Sequence, residues 1–405
     1  MRYVAIGVLV LATAATACGR SAPKVVVTTR DSSGVTIIDH PAGALAQVQQ
    51  YRLSAPIATV GGATADMLHD ATAMRNALFL DPDHFVVIDG RMNRLVLFDG
   101  TGTVQAIYGG RGTPDSLVSP GQLHLADDGS VWLVDLPARY IRLGANIQPV
   151  AQQHLGPKES VQATVLFVNG TDAIAVENPF EQPKTADANV HRSTSYLLRL
   201  TPAAVDTLAR WPGTEWFAVA SGEGRNQSIA TQPVRFGPTT VVRRWGHDIV
   251  VGTGDDWSLQ VRDTTGAIRR IIQLHAPVRP VTKALRDSVE AGDLRQIDAL
   301  RGADEQTKAM ARASVNAQRF ADAVAPYDDA FAGRTGRLWV SETALPTDST
   351  RDYAIFGADG HLIGRLQVPA STRVLAADSD RVVSRRVDSS GVAFLELSRL
   401  VPAPH

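Results

Sequence analysis

An all-β fold, a six-bladed β-propeller with a small helical insertion between blades four and five, is what the sequence predicts. Three observations carry the prediction. Short runs of β-branched, aliphatic and aromatic residues alternate with Gly, Asp, Asn and Pro along most of the chain, which is the composition of strands and turns. The pattern recurs in six groups, and a four-stranded group alone leaves both sheet faces bare, so stacking six around an axis is the simplest way to cover them. One stretch, 281–325, interrupts the pattern with helical spacing.

Composition sets the outer limits. The chain has 405 residues with 44% hydrophobic and 20% charged content, enough for one large core or several ordinary ones and unlike a disordered chain. Forty Lys plus Arg against 41 Asp plus Glu leave a charge of −1, without the basic footprint of a nucleic-acid binder. A single Cys excludes an intramolecular disulfide and a cysteine zinc site.

The first residues specify an address. Met1-Arg2-Tyr3 precedes an uncharged apolar run, Val4 to Ala17, that is shorter than the roughly 20 residues a spanning helix needs. Residues 1–17 read as a signal peptide, 18–30 as a tether and 31–405 as the propeller. The boundary Ala15-Thr16-Ala17-Cys18-Gly19 resembles the lipobox of bacterial lipoproteins, with Ala15 where Leu is commonest. That resemblance implies lipidation of Cys18 and a lipid-anchored, periplasm-facing protein of the cell envelope. The outer membrane is favoured over the inner, because Gly19 is not acidic. Ala15-Thr16-Ala17 is also an A-x-A site, which would release a soluble protein with an unpaired thiol in an oxidising compartment.

The repeats then follow in order. Residues Ala77–Leu80, Phe85–Ile88, Arg94–Phe98 and Val104–Tyr108 form the first group, divided by Asp81-Pro82-Asp83, Asp89-Gly90 and Asp99-Gly100-Thr101-Gly102. Leu123–Leu125, Val131–Asp135 and Tyr140–Leu143 repeat it. Looser copies run from Val165 to Leu200, Asp248 to Leu274, Gly336 to Leu366 and Val374 to Leu397. The stretch Phe85 to Asp135, FVVIDGRMNRLVLFDGTGTVQAIYGGRGTPDSLVSPGQLHLADDGSVWLVD, resembles the NHL-repeat type of six-bladed propeller. The likeness covers about the first two blades and implies architecture, not chemistry.

The sixth group has only three clear strands, and propellers often complete their last blade with a strand from the other end. Val35–Ile38 and Ile57–Gly61 are the candidates. Asp31-Ser32-Ser33-Gly34-Val35 recurs word for word as Asp388-Ser389-Ser390-Gly391-Val392, so a matched pair of turns is one reading and chance reuse of a common turn the other. Within 281–325, Leu285 and Val289, then Ile297 and Leu300, have helical spacing, with Gly292 and Gly302 as expected breaks or caps. The insertion reads as a lid over apolar surface, with a cap over a binding site or a docking helix pair as the alternative.

Chemistry is sparse. There is no G-x-S-x-G elbow, Walker loop, H-E-x-x-H or EF-hand loop. Gly252-Thr253-Gly254-Asp255-Asp256 reads as a turn, and His124 as a structural residue. Asp89, Asp135, Glu177 and Glu342 each end the second strand of a blade, which would bring four carboxylates to one mouth of the central channel. They are the candidates for holding a divalent cation, as in gluconolactonase-like propeller hydrolases, against the plainer role of turn residues that accept backbone N–H bonds. Trp211, Trp216 and Phe217, near the polar stretches 179–192 and 212–225, are candidates for partner contact if exposed and core residues if not. No catalytic residue is assigned. The expectation is a binding module for a small ligand or an envelope protein, without cofactor or nucleic acid. A metal-assisted hydrolase is the alternative.

Overall fold

The computed structural model describes residues 26–404, apart from 63–69, 127, 136–138, 155, 157–162, 179–188, 222–227 and 301. The signal peptide and Cys18 lie outside the described residues. The chain opens with β1 (Thr28–Ser32) and β2 (Val35–His40), one helical turn α1 (Ala44–Gln47), β3 (Gln49–Leu53) and β4 (Ala58–Gly61). Antiparallel meanders follow. The first is β5 (Met74–Asp81), β6 (His84–Asp89), β7 (Arg94–Asp99) and β8 (Val104–Gly109). The second is β9 (Pro120–Leu125), β10 (Val131–Asp135), β11 (Arg139–Leu143) and β12 (Pro149–His154). The third is β13 (Ala163–Asn169), β14 (Asp172–Glu177), β15 (His191–Leu200) and the long β16 (Val205–Ser221), extended by β17 (Ser228–Pro233).

The fourth meander is β18 (Val241–Trp245), β19 (Asp248–Gly252), β20 (Ser258–Arg262) and β21 (Ile268–Leu274). A short β22 (Arg279–Pro280), helices α2 (Lys283–Asp298) and α3 (Glu305–Asn316), and β23 (Ala323–Val324) come next. The fifth is β24 (Tyr327–Ala332), β25 (Leu338–Glu342), β26 (Thr350–Phe356) and β27 (Leu362–Pro369). The sixth has β28 (Thr372–Ala377), β29 (Arg381–Val387) and β30 (Ala393–Pro402) from its own sequence.

The first strand of every meander borders one central cavity, where Leu78, Leu123, Leu166, Arg243, Phe331 and Leu375 meet. Arginines stitch neighbouring first strands together: Arg75 donates to Pro120 O, and Arg243 to Ala330 O. Sheets set around a central cavity by their first strands form a β-propeller.

This arrangement explains the continuous apolar runs. Along β6 and β7, Phe85, Val87, Val96 and Phe98 pack with Ala376, Val383 and Leu395 of the sixth meander. The alternate residues Val86, Ile88, Leu95 and Leu97 pack with Leu133, Ile141 and Leu143 of the second. Successive side chains point to opposite faces, and both faces are covered, so neither register position can be polar.

The N-terminal segment spans three meanders. β2 adds to β21 in parallel, carrying β1 at its outer edge, and β3 lies parallel to β27 while pairing with the end of β30. β4 supplies the fourth strand of the sixth meander, with Ala58–Gly61 opposite Leu397–Phe394. Of the two sequence candidates for closure, Ile57–Gly61 therefore closes the ring and Val35–Ile38 widens the fourth sheet. His40 fastens this segment: its Nδ1 lies 3.0 Å from Gln273 O, and its Nε2 accepts from Leu362 N–H at 2.9 Å. The accepting Nε2 makes Nδ1 the protonated nitrogen, and burial lowers the ring's pKa in keeping with a neutral imidazole.

The two DSSGV copies are not a matched pair. In the first, Ser32 pairs with Val35 across a two-residue turn, with Ser33 and Gly34 at φ 55° and 82°. In the second, Asp388 and Val392 bracket a longer turn whose Asp388 Oδ1 accepts N–H bonds from Ser390 and Val392. That second geometry is shared by Asp99 and Asp263, each followed three residues on by a Gly at positive φ. It serves hairpin links inside the meanders, third to fourth strand at Asp99 and Asp263 and second to third at Asp388, and not the ends of the chain.

Helices α2 and α3 occupy most of 281–325. Thr282 and Asp304 cap them, accepting from Leu285 N–H and Thr307 N–H. Gly292 lies inside α2 and is not a break; Gly302, at φ 79°, is in the link between the helices. Val289 and Ile297 are buried, whereas Leu300 is 48% exposed just beyond α2. The pair β22–β23 ties the base of the insertion, and Arg312–Asp298 at 2.7 Å ties the helices to each other.

Candidate functional site

Strand register places the four sequence-predicted acids on one rung. Asp89 lies opposite Met74, Asp135 opposite Pro120, Glu177 opposite Ala163 and Glu342 opposite Tyr327, in each case the last residue of the second strand against the first of the first. The same rung holds Gly252 opposite Val241 and Arg386 opposite Thr372. An antiparallel meander returns the ends of its second strands and the starts of its first strands to one side. The acids therefore share a face of the propeller.

They do not share a site. Asp89 is buried against Arg94, whose Nε donates to Oδ2 at 2.8 Å, while Oδ1 accepts from the N–H groups of Arg91 and Met92. Asp135 is buried too; it accepts from Val118 N–H and Ser119 N–H and pairs with Arg139, Nε to Oδ2 at 2.8 Å. Asp89 holds the loop that follows it, the turn role that sequence reasoning weighed against a cation, whereas Asp135 holds the loop that precedes β9. Burial raises the pKa of Glu177, which has no ion pair among the described residues. No three His, Cys, Asp or Glu side chains gather at metal-binding spacing among the described residues.

Glu342 stands apart. It lies in the wall of a pocket of about 470 Å³ between the fourth and fifth meanders, together with Trp257, His275, Arg279, Val324 and Arg365. Its Oε1 and the Nε of Arg365 are both shielded from solvent and both without a hydrogen-bond partner, 3.8 Å from each other. That separation is too long for a hydrogen bond, so a buried donor and a buried acceptor remain open side by side. Arg365 is held from its other end by Asp352, Nη2 to Oδ2 at 3.0 Å, and Arg279 Nη2 donates to Thr343 O. Two guanidinium groups around Glu342 oppose capture of a divalent cation by this carboxylate.

Burial pushes the Glu342 pKa up, against the pull of Arg365. A carboxyl whose folded pKa exceeds its unfolded value stabilises the fold most below the unfolded pKa, near 4.3, and loses that contribution as pH rises through the folded value. Glu342→Gln is therefore expected to raise the melting temperature at neutral pH, and the gain is expected to vanish below about pH 4. Thermal melts of both chains across that range check it; an equal shift at every pH would contradict it.

The rung position in the fourth meander is occupied differently. A Cβ on Gly252 would collide with Tyr327 Oη, and that hydroxyl accepts from Gly254 N–H and donates to Ser258 O. The loop Gly252–Asp256 is a turn, as expected, held by Arg192 on Asp255 and on Thr253 O. Trp211 and Phe217 are buried, Trp211 in the core between the third and fourth meanders, so neither offers an exposed contact. Trp216 is half-buried and stacks on His191 with ring centroids 4.9 Å apart. His124 lies in the wall of the central cavity, and its pKa falls to about 4, first through burial and then through Arg244 and Arg243.

Sequence reasoning missed Arg365, Arg279 and Arg243. Arg365 lies in a strand that sequence reasoning included in the fifth group without assigning this residue a role, and Arg243 in a strand, VVRRW, that was not recognised as one.

No family model matches the chain, and no curated protein matches it in sequence. Solved structures with a similar course include a member of the DUF4221 family from Bacteroides vulgatus, at 8% identity over 88% of this chain and 100% of that one, TM-score 0.49. A catalytically inactive virginiamycin B lyase from Staphylococcus aureus aligns at 10% identity over 86% and 99%, TM-score 0.39. BamB from Moraxella catarrhalis aligns at 14% over 78% and 82%, TM-score 0.28. All three scores are below 0.5, so the fold assignment rests on the chain's own strand order and central cavity.

Proposed function

We propose that the chain is a six-bladed propeller acting as an extracytoplasmic binding module, with its ligand seated in the pocket between the fourth and fifth meanders. The observation that carries this reading is the open pair Glu342 Oε1 and Arg365 Nε in the pocket wall. A buried donor and acceptor cost about 1–3 kcal/mol each when unsatisfied, a cost that a ligand presenting both complements removes on binding. The pocket volume is within the range of small-molecule sites, and Trp257 and Val324 add apolar wall to a few placed polar groups. The ligand class is a small polar molecule carrying a donor and an acceptor on adjacent atoms. The test is thermal-shift screening of the mature chain against free amino acids, dipeptides and sugars, followed by the Glu342→Ala variant. A hit whose shift disappears in the variant supports the reading; hits that survive it unchanged sink it.

The anchoring is part of the proposal. Lipidation of Cys18 would hold the module at the envelope, because each buried methylene contributes about 0.8 kcal/mol. Among the described residues, no helix is long and apolar enough to cross a membrane. Cys18→Ala is expected to move the protein from the membrane to the soluble fraction; continued sedimentation with membranes would argue against a lipid anchor. Metal content of the same purified chain tests the rival hydrolase reading, which requires a stoichiometric divalent ion.

A further inference from the structure

The two ring nitrogens of His40 reach two strands that carry walls of the pocket at Glu342. Nδ1 donates to Gln273 O near the end of β21, and Gln273, Leu274 and His275 line the pocket. Nε2 accepts from the N–H of Leu362, the first residue of β27, and Arg365 of that strand lines the pocket too. Leu45, from the helical turn that follows His40, completes this side. The imidazole is buried, so it bolts the fourth meander to the fifth from within.

Protonation is incompatible with that arrangement. A neutral imidazole offers one donor and one acceptor, whereas the imidazolium has two donors and no acceptor. A proton taken from solvent at Nε2 would confront the Leu362 N–H across 2.9 Å and place a positive charge in the core. The charged and titratable groups around the ring give little relief. Asp39, on the same strand, is engaged by His275 Nε2 at 2.7 Å. Asp359 accepts from His361 N–H, and the His361 ring stands edge-on to His40 with centroids 6.2 Å apart. Arg270 of β21 reaches the same loop at Ala358 O. Burial disfavours the charged ring most; the Gln273 bond, Asp39 and Asp359 favour it, His361 opposes it, and the net effect lowers the pKa. The neutral ring therefore stabilises the join above the unfolded histidine pKa of about 6.5, and that contribution is lost as pH falls through the lower folded value.

We infer that His40 is a pH-operated bolt on the Glu342 pocket: uptake of a proton at Nε2 breaks the bond to Leu362 and frees the Gln273–His275 wall from β27. The opening is local, because Ile272, Leu274, Phe356 and Leu362 still share one apolar cluster. As regulation of a site, the inference rests on the pocket being a binding site; the bolt itself opens and closes without a ligand.

Hydrogen exchange of the mature chain, corrected for the intrinsic pH dependence of amide exchange, tests it together with the ¹⁵N signals of the histidine rings. At neutral pH the His40 ring is expected to carry its proton on Nδ1. Between about pH 7 and about pH 4.5, peptides covering 272–276 and 362–366 are expected to lose protection several-fold in step with His40, while 94–98 in the first meander keeps its own. His40→Gln identifies the ring signal, and the folded variant is expected to show no such response, because its amide does not titrate. His275→Gln, His361→Gln and Glu342→Gln are expected to keep the response, which separates His40 from the other titrating groups at the pocket. A His40 ring still neutral at about pH 4.5, or one that titrates while both walls keep their protection, overturns the inference. So does a response that disappears in any of those three variants. A bolt that opens on a pocket for which screening finds no ligand counts against the binding reading alone.

Discussion

A chain beginning at residue 63 is expected to lose cooperative folding, whereas one beginning at residue 35 is expected to melt close to one beginning at residue 26. The difference follows from what each truncation removes. Residues 28–34 carry β1, exposed at every position and paired only with β2 at the rim of the fourth sheet. The longer deletion removes β4, which closes the sixth meander, and β3, which joins the fifth to the sixth. Ala58 and Val60, at 8% and 5% exposure, pack with Phe79, Phe98, Val383 and Leu395, so their loss opens the core between the last and first meanders. A Val is worth about 1.5–3 kcal/mol when buried, and the bare edge of β30 adds unpaired backbone groups. The sum exceeds about 5 kcal/mol, the lower end of the stability of an ordinary domain. Denaturant titration by circular dichroism checks it. Two superimposable cooperative transitions would show that closure by β4 is dispensable.

Asp89→Ala is expected to cost about 3–5 kcal/mol, while Glu177→Ala, on the same rung, is expected to change stability by less than about 1 kcal/mol. Asp89 accepts two backbone N–H bonds and pairs with Arg94, and both partners of that ion pair are buried. Removing the carboxylate leaves two part-buried N–H groups without their acceptor and takes one acceptor from the buried Arg94 guanidinium. Glu177 is half-buried, with burial opposing its charge. The comparison also separates the two roles weighed for these acids. A shared cation site would make both variants lose metal together, whereas loop-locking makes their effects unequal. Urea midpoints and metal content of the two purified variants supply the measurement.

The middle strands were legible in the sequence because burial on both faces leaves no room for polar residues, as in Phe85–Ile88 and Leu95–Phe98. The first strands of the fourth and fifth meanders were not legible. VVRRW and YDDAFA border the central cavity or its mouth, where one side of the strand meets open space and can carry Arg243 or Asp329. The acids were legible as a rung, because turn residues follow second strands at a constant place. Their fates were not, since Arg94 lies close in sequence while Arg365 arrives from a strand 23 residues beyond Glu342. The DSSGV copies show the same limit. Five identical residues form a two-residue turn where β1 meets β2 and a longer one where β29 meets β30, so the flanking strand register selects the geometry.

The closing strand has a temporal meaning as well. Residues 58–61 are synthesised long before their partners 394–397. A ring completed by strands so far apart in sequence carries a large loop-closure cost and folds slowly. The sixth sheet cannot be completed until residues 394–397 are available. Until those late partners arrive, β4 has no strand to pair with and the ring stays open. The same delay prolongs exposure of the edges of β30 and β4, which is the interval when a chaperone would be needed.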